Sequence, residues 1–148
     1  MIENKYILDA LSDLGVNGCQ LSGHPTKESE FLSMYSERTG VDSMNTMILS
    51  SDPKDFSVTW KQVSEKAKEI EDAEPLKELR RVRNDILAET DWVIIKEREE
   101  GGSVSNFADW KTYRQALRDL PKQYSDAKKT KQGYLDWSKI TLPTKPSE

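Results

Sequence analysis

A long run of helical periodicity from Thr59 to Leu87 constrains the fold more than any other feature. Thr59 and Gln62 have the spacing of a capping box at its start. Pro75 interrupts the run and leaves two alternatives open: a new helix that begins at Pro75, or one long helix kinked there. The apolar residues recur at intervals of three and four, as on one face of a helix. They are Trp60, Val63, Ala67, Ile70, Leu76, Leu79, Val82, Ile86 and Leu87.

The N-terminal region, residues 1–56, predicts two shorter helices. An apolar stripe in the first fourteen residues ends at Gly15, a natural helix stop. A second helix should begin with Thr26 as its cap and run to Gly40, with Phe31, Met34 and Tyr35 on one face. Residues 19–22 and 46–50 are compatible with short strands, and a two-stranded pairing between them stays open.

The C-terminal part predicts a helical hairpin. Val93–Asn106 reads as a long charged loop in which Gly101 and Gly102 permit a reversal. The last helix spans residues 107–120 and ends at Pro121. Its apolar stripe, Trp110, Tyr113, Leu117 and Leu120, should pack with Trp92 as one aromatic cluster.

Residues 122–148 are polar, with scattered aromatics, and predict an extended tail without a core of its own. The fold class is therefore mainly α, with a minor β element and an extended tail. The sequence divides into an N-terminal region 1–56, a hairpin region 57–121 and the tail 122–148. A chain ending at Pro121 should accordingly stay folded and lose partner binding.

Charge and hydropathy exclude several classes of partner. The net charge is −4, with four basic and nine acidic residues before Ser57. That balance argues against affinity for nucleic acid. No apolar run approaches the roughly 20 residues that cross a bilayer, so no membrane association is predicted. With Cys19 as the single cysteine, no internal disulfide can form, which is typical of a cytosolic protein.

The sequence predicts that the protein is not an enzyme. His24 is the only histidine, and it reads as a polar loop residue, while Cys19 reads as a small buried apolar residue. One Cys and one His cannot supply four zinc ligands, and there is no calcium loop or glycine-rich phosphate loop. We therefore expect no catalytic residue, metal or cofactor. Arg114 and Arg118, four residues apart, are expected on a flank of the last helix beside its buried face. Arg118 and Asp119 are expected to form exposed ion pairs with the preceding helix, at Arg83, Asp85 or Glu89, which contribute about 0–1 kcal/mol each.

Two motifs resemble the tail assembly chaperone family of tailed phages, whose members carry an R-(N/D)-x-L-L-x-x-T-D-W segment followed by Y-R-Q-x-L-R-D-(L/I)-P. The matching residues are Arg83-Asn84, Leu87–Trp92, Trp110 and Tyr113–Pro121, and the resemblance covers about Leu76–Pro121. The segments SGHPTKESEFLSMY, ILSSDP and TWKQVSEKAKEIE also look like small virion or tail-fibre-associated proteins of marine cyanophages.

The resemblance implies a non-enzymatic phage tail protein, made in the bacterial host cytoplasm and resident in the virion. It would be a small adaptor, present in several copies per particle, that binds other tail, baseplate or tail-fibre proteins. The alternative is a transient assembly chaperone absent from the mature particle. The residues expected in the motif core or at the partner are Trp92, Trp110, Tyr113, Arg114 and Arg118. The expected tail anchors are Tyr134, Leu135, Trp137, Ile140 and Leu142.

Overall fold

The computed structural model describes residues 2–147 and divides the chain into two compact units, Met1–Asp72 and Ala73–Glu148. Met1 and Glu148, the outer ends of the predicted regions 1–56 and 122–148, lie outside the described residues. The fold is mainly α with one small antiparallel sheet, as the sequence predicts.

Five helices and three strands make up the regular structure of the described chain. The helices are α1 (Asn4–Asp13), α2 (Glu28–Met34), α3 (Trp60–Glu89), α4 (Asp91–Glu99) and α5 (Phe107–Gln123). The strands are β1 (Cys19–Leu21), β2 (Tyr35–Val41) and β3 (Met47–Ser50), and short 3-10 turns occupy Pro53–Asp55 and Trp137–Lys139.

The predicted helix boundaries at Gly15 and Thr59 are confirmed. Gly15 has φ 81°, and its N–H donates to the Ser12 carbonyl at 3.0 Å while Val16 N–H donates to the Leu11 carbonyl at 3.0 Å. This is a Schellman motif, which needs the left-handed backbone that glycine adopts freely. At the start of α3, Thr59 N–H donates to Gln62 Oε1 at 2.9 Å and Gln62 N–H donates to Thr59 Oγ1 at 3.3 Å.

The predicted pairing of residues 19–22 with residues 46–50 is wrong. Both segments are strands, but each pairs antiparallel with β2, which lies between them. The helix that the sequence predicts from Thr26 to Gly40 ends at Met34, because the chain continues as strand β2 from Tyr35. Tyr35 and Glu37 alternate with outward residues and face the core, so pairing on both sides of β2 overrides the local helical pattern.

The helix α2 is not capped by Thr26. Lys27 occupies the cap position without a side-chain bond. Thr26 instead donates from its backbone N–H and its hydroxyl to the Glu30 carboxylate, at 2.9 and 2.8 Å. The backbone bond contributes most to a lowered pKa of Glu30.

The helix α3 is continuous through Pro75, which decides between the two alternatives that the sequence leaves open. The first part of α3 completes the core of the N-terminal unit. That core contains residues from α1, α2, β2, α3 and the segment just before α3, namely Tyr6, Ile7, Ala10, Leu11, Phe31, Tyr35, Val58, Val63 and Ala67.

The C-terminal unit contains more helix than the sequence predicts. The first half of the predicted loop Val93–Asn106 is helical, because Asp91–Glu99 form α4. The reversal follows at Gly101 and Gly102, which both have positive φ, as predicted. The helix α5 continues past Pro121 to Gln123, since the proline lies in the last turn and removes a single N–H donor.

The segment after Gln123 has little regular structure, and it packs against α3 and α5. Leu135 is buried with Leu79 of α3 and Leu120 of α5, and Ile140 packs against this cluster. Thr141 N–H donates to the Tyr124 hydroxyl at 3.0 Å. Two of the five predicted tail anchors are therefore used inside the unit.

Replacing Leu135 by alanine is expected to lower the free energy of unfolding by about 2–3 kcal/mol, because the buried side chain leaves a cavity. Urea unfolding followed by circular dichroism measures this loss. Leu142→Ala is the matched control, since Leu142 is 40% exposed in the same segment, and it should change stability by less than about 0.5 kcal/mol. Equal effects of the two substitutions would contradict the packing of Leu135.

Candidate functional site

The structure brings the rings of Trp92, Trp110 and Tyr113 together between α4 and α5. The ring centroids of Trp92 and Trp110 lie 5.8 Å apart, and those of Trp110 and Tyr113 lie 6.0 Å apart, both edge to face. Trp110 is fully buried, and its indole N–H donates to Asn106 Oδ1 at 3.1 Å. We call these three residues the tryptophan cluster. Trp110 and Tyr113 hold α5 against the core, whereas Trp92 remains 39% exposed at its edge.

Arg114 ties α5 to the junction of α3 and α4. Its Nη1 donates to the Leu87 carbonyl at 2.8 Å and to Thr90 Oγ1 at 2.6 Å, while its Nη2 pairs with Asp91 at 2.6 Å. The Arg114 side chain is buried, although the sequence places it on the flank beside the buried face of the helix. The bonds explain why Thr90 and Asp91 accompany the aromatic residues in the motif: the guanidinium requires acceptors where one helix ends and the next begins.

Substituting alanine for Arg114 is expected to lower the free energy of unfolding by about 1–3 kcal/mol, because the buried Thr90 hydroxyl and the partly buried Leu87 carbonyl lose their donor. Arg114→Lys should recover only part of the loss, since an ammonium cannot span the three acceptors. Thermal unfolding of the three proteins tests this order. Arg118→Ala serves as the control at an exposed position one turn further on. A full recovery by lysine would show that charge alone matters.

Tyr113 is held as the neutral phenol. Burial is the main cause that raises its pKa, and the charge of Glu89 adds to the effect. Arg118 is exposed, and its backbone carbonyl accepts a bond from Arg83 Nη1 at 3.3 Å. Within the described chain it makes no ion pair, so the sequence expectation of a pair with the preceding helix is wrong.

Besides Arg118, four aromatic or aliphatic residues that are predicted to contact a partner remain exposed. Tyr134 is 74% exposed, and Trp92, Trp137 and Leu142 are exposed to a lesser degree. Ile95, which the sequence reading missed, is also exposed on α4. Its spacing of three from Trp92 is the signal of a second helical face. It went unrecognised because α4 was read as a loop.

The last described residues lie along α5. Asn106 Nδ2 donates to the Ser147 carbonyl, and Lys145 Nζ lies 5.8 Å from the centroid of the Trp110 ring. Residues 143–147 and α5 line one open groove. The Pro-containing end of the chain is thus placed beside the tryptophan cluster, not away from it.

The single cysteine and the single histidine both lie in partly buried environments. Burial, with the nearby Glu37 carboxylate, raises the pKa of the Cys19 thiol, which disfavours the reactive thiolate. His24 Nε2 is buried, and no hydrogen-bond partner for it lies among the described residues. Among residues 2–147, no group of three or more His, Cys, Asp or Glu is placed to hold a metal ion.

Comparison with known protein families tests the resemblance to the tail assembly chaperone family. Residues 76–147 match the family model of the phage tail assembly chaperone protein. The family inferred from the sequence is confirmed for this segment, and the match extends beyond Pro121 over the tail. The chaperone-family segment contains the tryptophan cluster, Arg114 with its acceptors, and the Leu135 packing.

No curated protein and no solved structure matches the chain. The second resemblance, to small virion proteins of marine cyanophages, therefore stays a prediction. In the part of the chain that the structure describes, no helix is both long and apolar enough to span a membrane.

Proposed function

We propose that this chain is a non-enzymatic phage tail protein that acts as a small adaptor, made in the host cytoplasm and retained in the virion. Its partners would be other tail, baseplate or tail-fibre proteins. The observation that carries the proposal is the family match over residues 76–147. It supports a tail-related role without a chemical reaction.

The distribution of burial supports docking through exposed aromatic residues. The buried members of the motif, Trp110, Tyr113 and Arg114, make a rigid frame. Trp92, Tyr134 and Trp137 remain exposed around it. Exposed aromatic side chains on a rigid frame contribute strongly to protein interfaces, since they bury large areas at low entropic cost.

Mass spectrometry of purified mature virions tests the adaptor directly. We expect peptides of this chain at a stoichiometric ratio to a tail protein, in amounts that survive a high-salt wash. Complete absence of the chain from particles that contain all other tail proteins would overturn the adaptor role.

A second candidate is favoured by the description of the matching family. A transient chaperone would bind a tail or fibre protein during assembly and then leave. It should co-purify with unassembled tail components in infected cells and be missing from finished particles. Measuring the chain in both the lysate and the virion therefore distinguishes a transient chaperone from an adaptor that stays in the virion.

A further inference from the structure

Four basic side chains line one groove of the C-terminal unit, between α3 and α5. Leu76 and Pro121 give it apolar walls, and Ser125 closes one end. We call it the basic groove, and its cations are Arg80, Arg83, Arg118 and Lys122. Such a concentration of positive charge is notable in a chain whose net charge is −4.

Helical spacing places these side chains along two parallel rows. Leu76, Arg80 and Arg83 follow at intervals of four and three on α3, and Arg118 and Lys122 are four apart on α5. The rows are joined where Arg83 Nη1 donates to the Arg118 carbonyl at 3.3 Å. Arg83 Nε is buried and lacks a hydrogen-bond acceptor. The groove therefore holds an unsatisfied donor in addition to its charges.

The positive charge is not neutralised by the chain itself. Among residues 2–147, no acidic side chain forms an ion pair with any of the four cations. Arg81, the neighbour of Arg80, behaves differently, because it pairs with Glu78 at 2.7 Å and Asp85 at 3.0 Å. Asp119, next to Arg118, accepts instead from Gln115 at 3.1 Å.

We propose that the basic groove binds an acidic segment of a phage tail protein, in which Glu or Asp residues flank an apolar side chain. Carboxylates complement three guanidinium groups, which bind them in paired hydrogen bonds. The apolar residue would contact Leu76 and Pro121. The inference rests on the proposed function, and it adds the chemistry of the partner.

A protein segment fits this groove better than a nucleic acid does. The chain as a whole is acidic, with a net charge of −4, which disfavours a long polyanion that continues past the groove. A short acidic segment ends within the groove. Four cations also provide little counterion release compared with proteins that bind nucleic acid through many phosphate contacts.

Fluorescence anisotropy of the full-length protein tests the proposal. The probe is a labelled Glu-rich peptide with a few leucines, compared with a Gln-rich peptide and an oligothymidine of similar length. The double variant Arg80→Gln/Arg118→Gln should weaken binding of the Glu-rich peptide about tenfold, as two charge-assisted contacts are lost. The control Arg81→Gln/Arg98→Gln removes the same charge outside the groove and should stay within about twofold of wild type.

Three outcomes would overturn the proposal: no binding of the Glu-rich peptide by the wild type, an equal loss in the control variant, or tighter binding of oligothymidine. Arg80 and Arg118 are both exposed, and circular dichroism verifies that the variants stay folded. The charge-reversed variant Arg80→Glu/Arg118→Glu gives a positive readout, since it should prefer a Lys-rich peptide.

The experiments distinguish a failure of the proposed tail function from a failure of the basic-groove inference. Capture of tail proteins from infected-cell lysate by the wild type tests the proposed function. If the double variant captures them equally well, the groove inference fails while the function stands. If the wild type captures none and still binds the Glu-rich peptide, the tail function fails instead.

Discussion

Trp110→Ala is expected to lower the free energy of unfolding of the C-terminal unit by about 3–5 kcal/mol. The ring is 0% exposed, stands edge to face with Trp92 and Tyr113, and donates its N–H to Asn106. Its removal leaves a large cavity between α4 and α5 and an unpaired amide oxygen. Amide hydrogen exchange of α5 as a function of urea concentration measures the loss locally.

Trp137→Ala is the matched control, since Trp137 is exposed in the same unit. It should cost less than about 1 kcal/mol. If Trp110→Ala lowers the free energy of unfolding by less than about 1 kcal/mol, the ring does not stabilise the core and faces a partner instead. Trp92→Ala should give an intermediate loss of stability, because only one side of its ring is packed.

Periodicity and capping signals were sufficient to predict most helices. The Thr59–Gln62 box, the Gly15 stop and the stripe on α5 depend on neighbours within one turn, so a local reading identifies them. The ring contacts of Trp110 follow from the same stripe. The motif that resembles the chaperone family lies in this locally determined part, which is why the resemblance was visible before the fold.

What the sequence reading missed depends on partners distant along the chain. The sequence places Tyr35 in a helix because its strand state depends on pairing with Leu21 of β1, which lies fourteen residues earlier in the chain. The sequence predicts Leu135 as a contact for a partner protein. Its actual contacts, Leu79 and Leu120, lie in two helices that precede it in the chain. The basic groove was missed for the same reason, as α3 and α5 each contribute only half of its charges.

Phe31→Ala is expected to lower the stability of the N-terminal unit by about 3–5 kcal/mol. Phe31 is fully buried, and its ring stacks on Tyr35 at 4.6 Å and lies 5.4 Å from Trp60. No other residue of α2 is buried, so this one ring anchors the helix to the sheet and to α3. Exchange of the β2 amides should accelerate with the predicted loss.

The adjacent substitution Leu32→Ala isolates the role of burial. Leu32 lies on the exposed side of the same short helix, and the change keeps helix propensity high while it truncates an apolar side chain to the same methyl group. It should cost less than about 1 kcal/mol. Equal costs for the two variants would mean that α2 is held by its backbone contacts, and that the aromatic core of this unit is not what fixes β2 in the centre of the sheet.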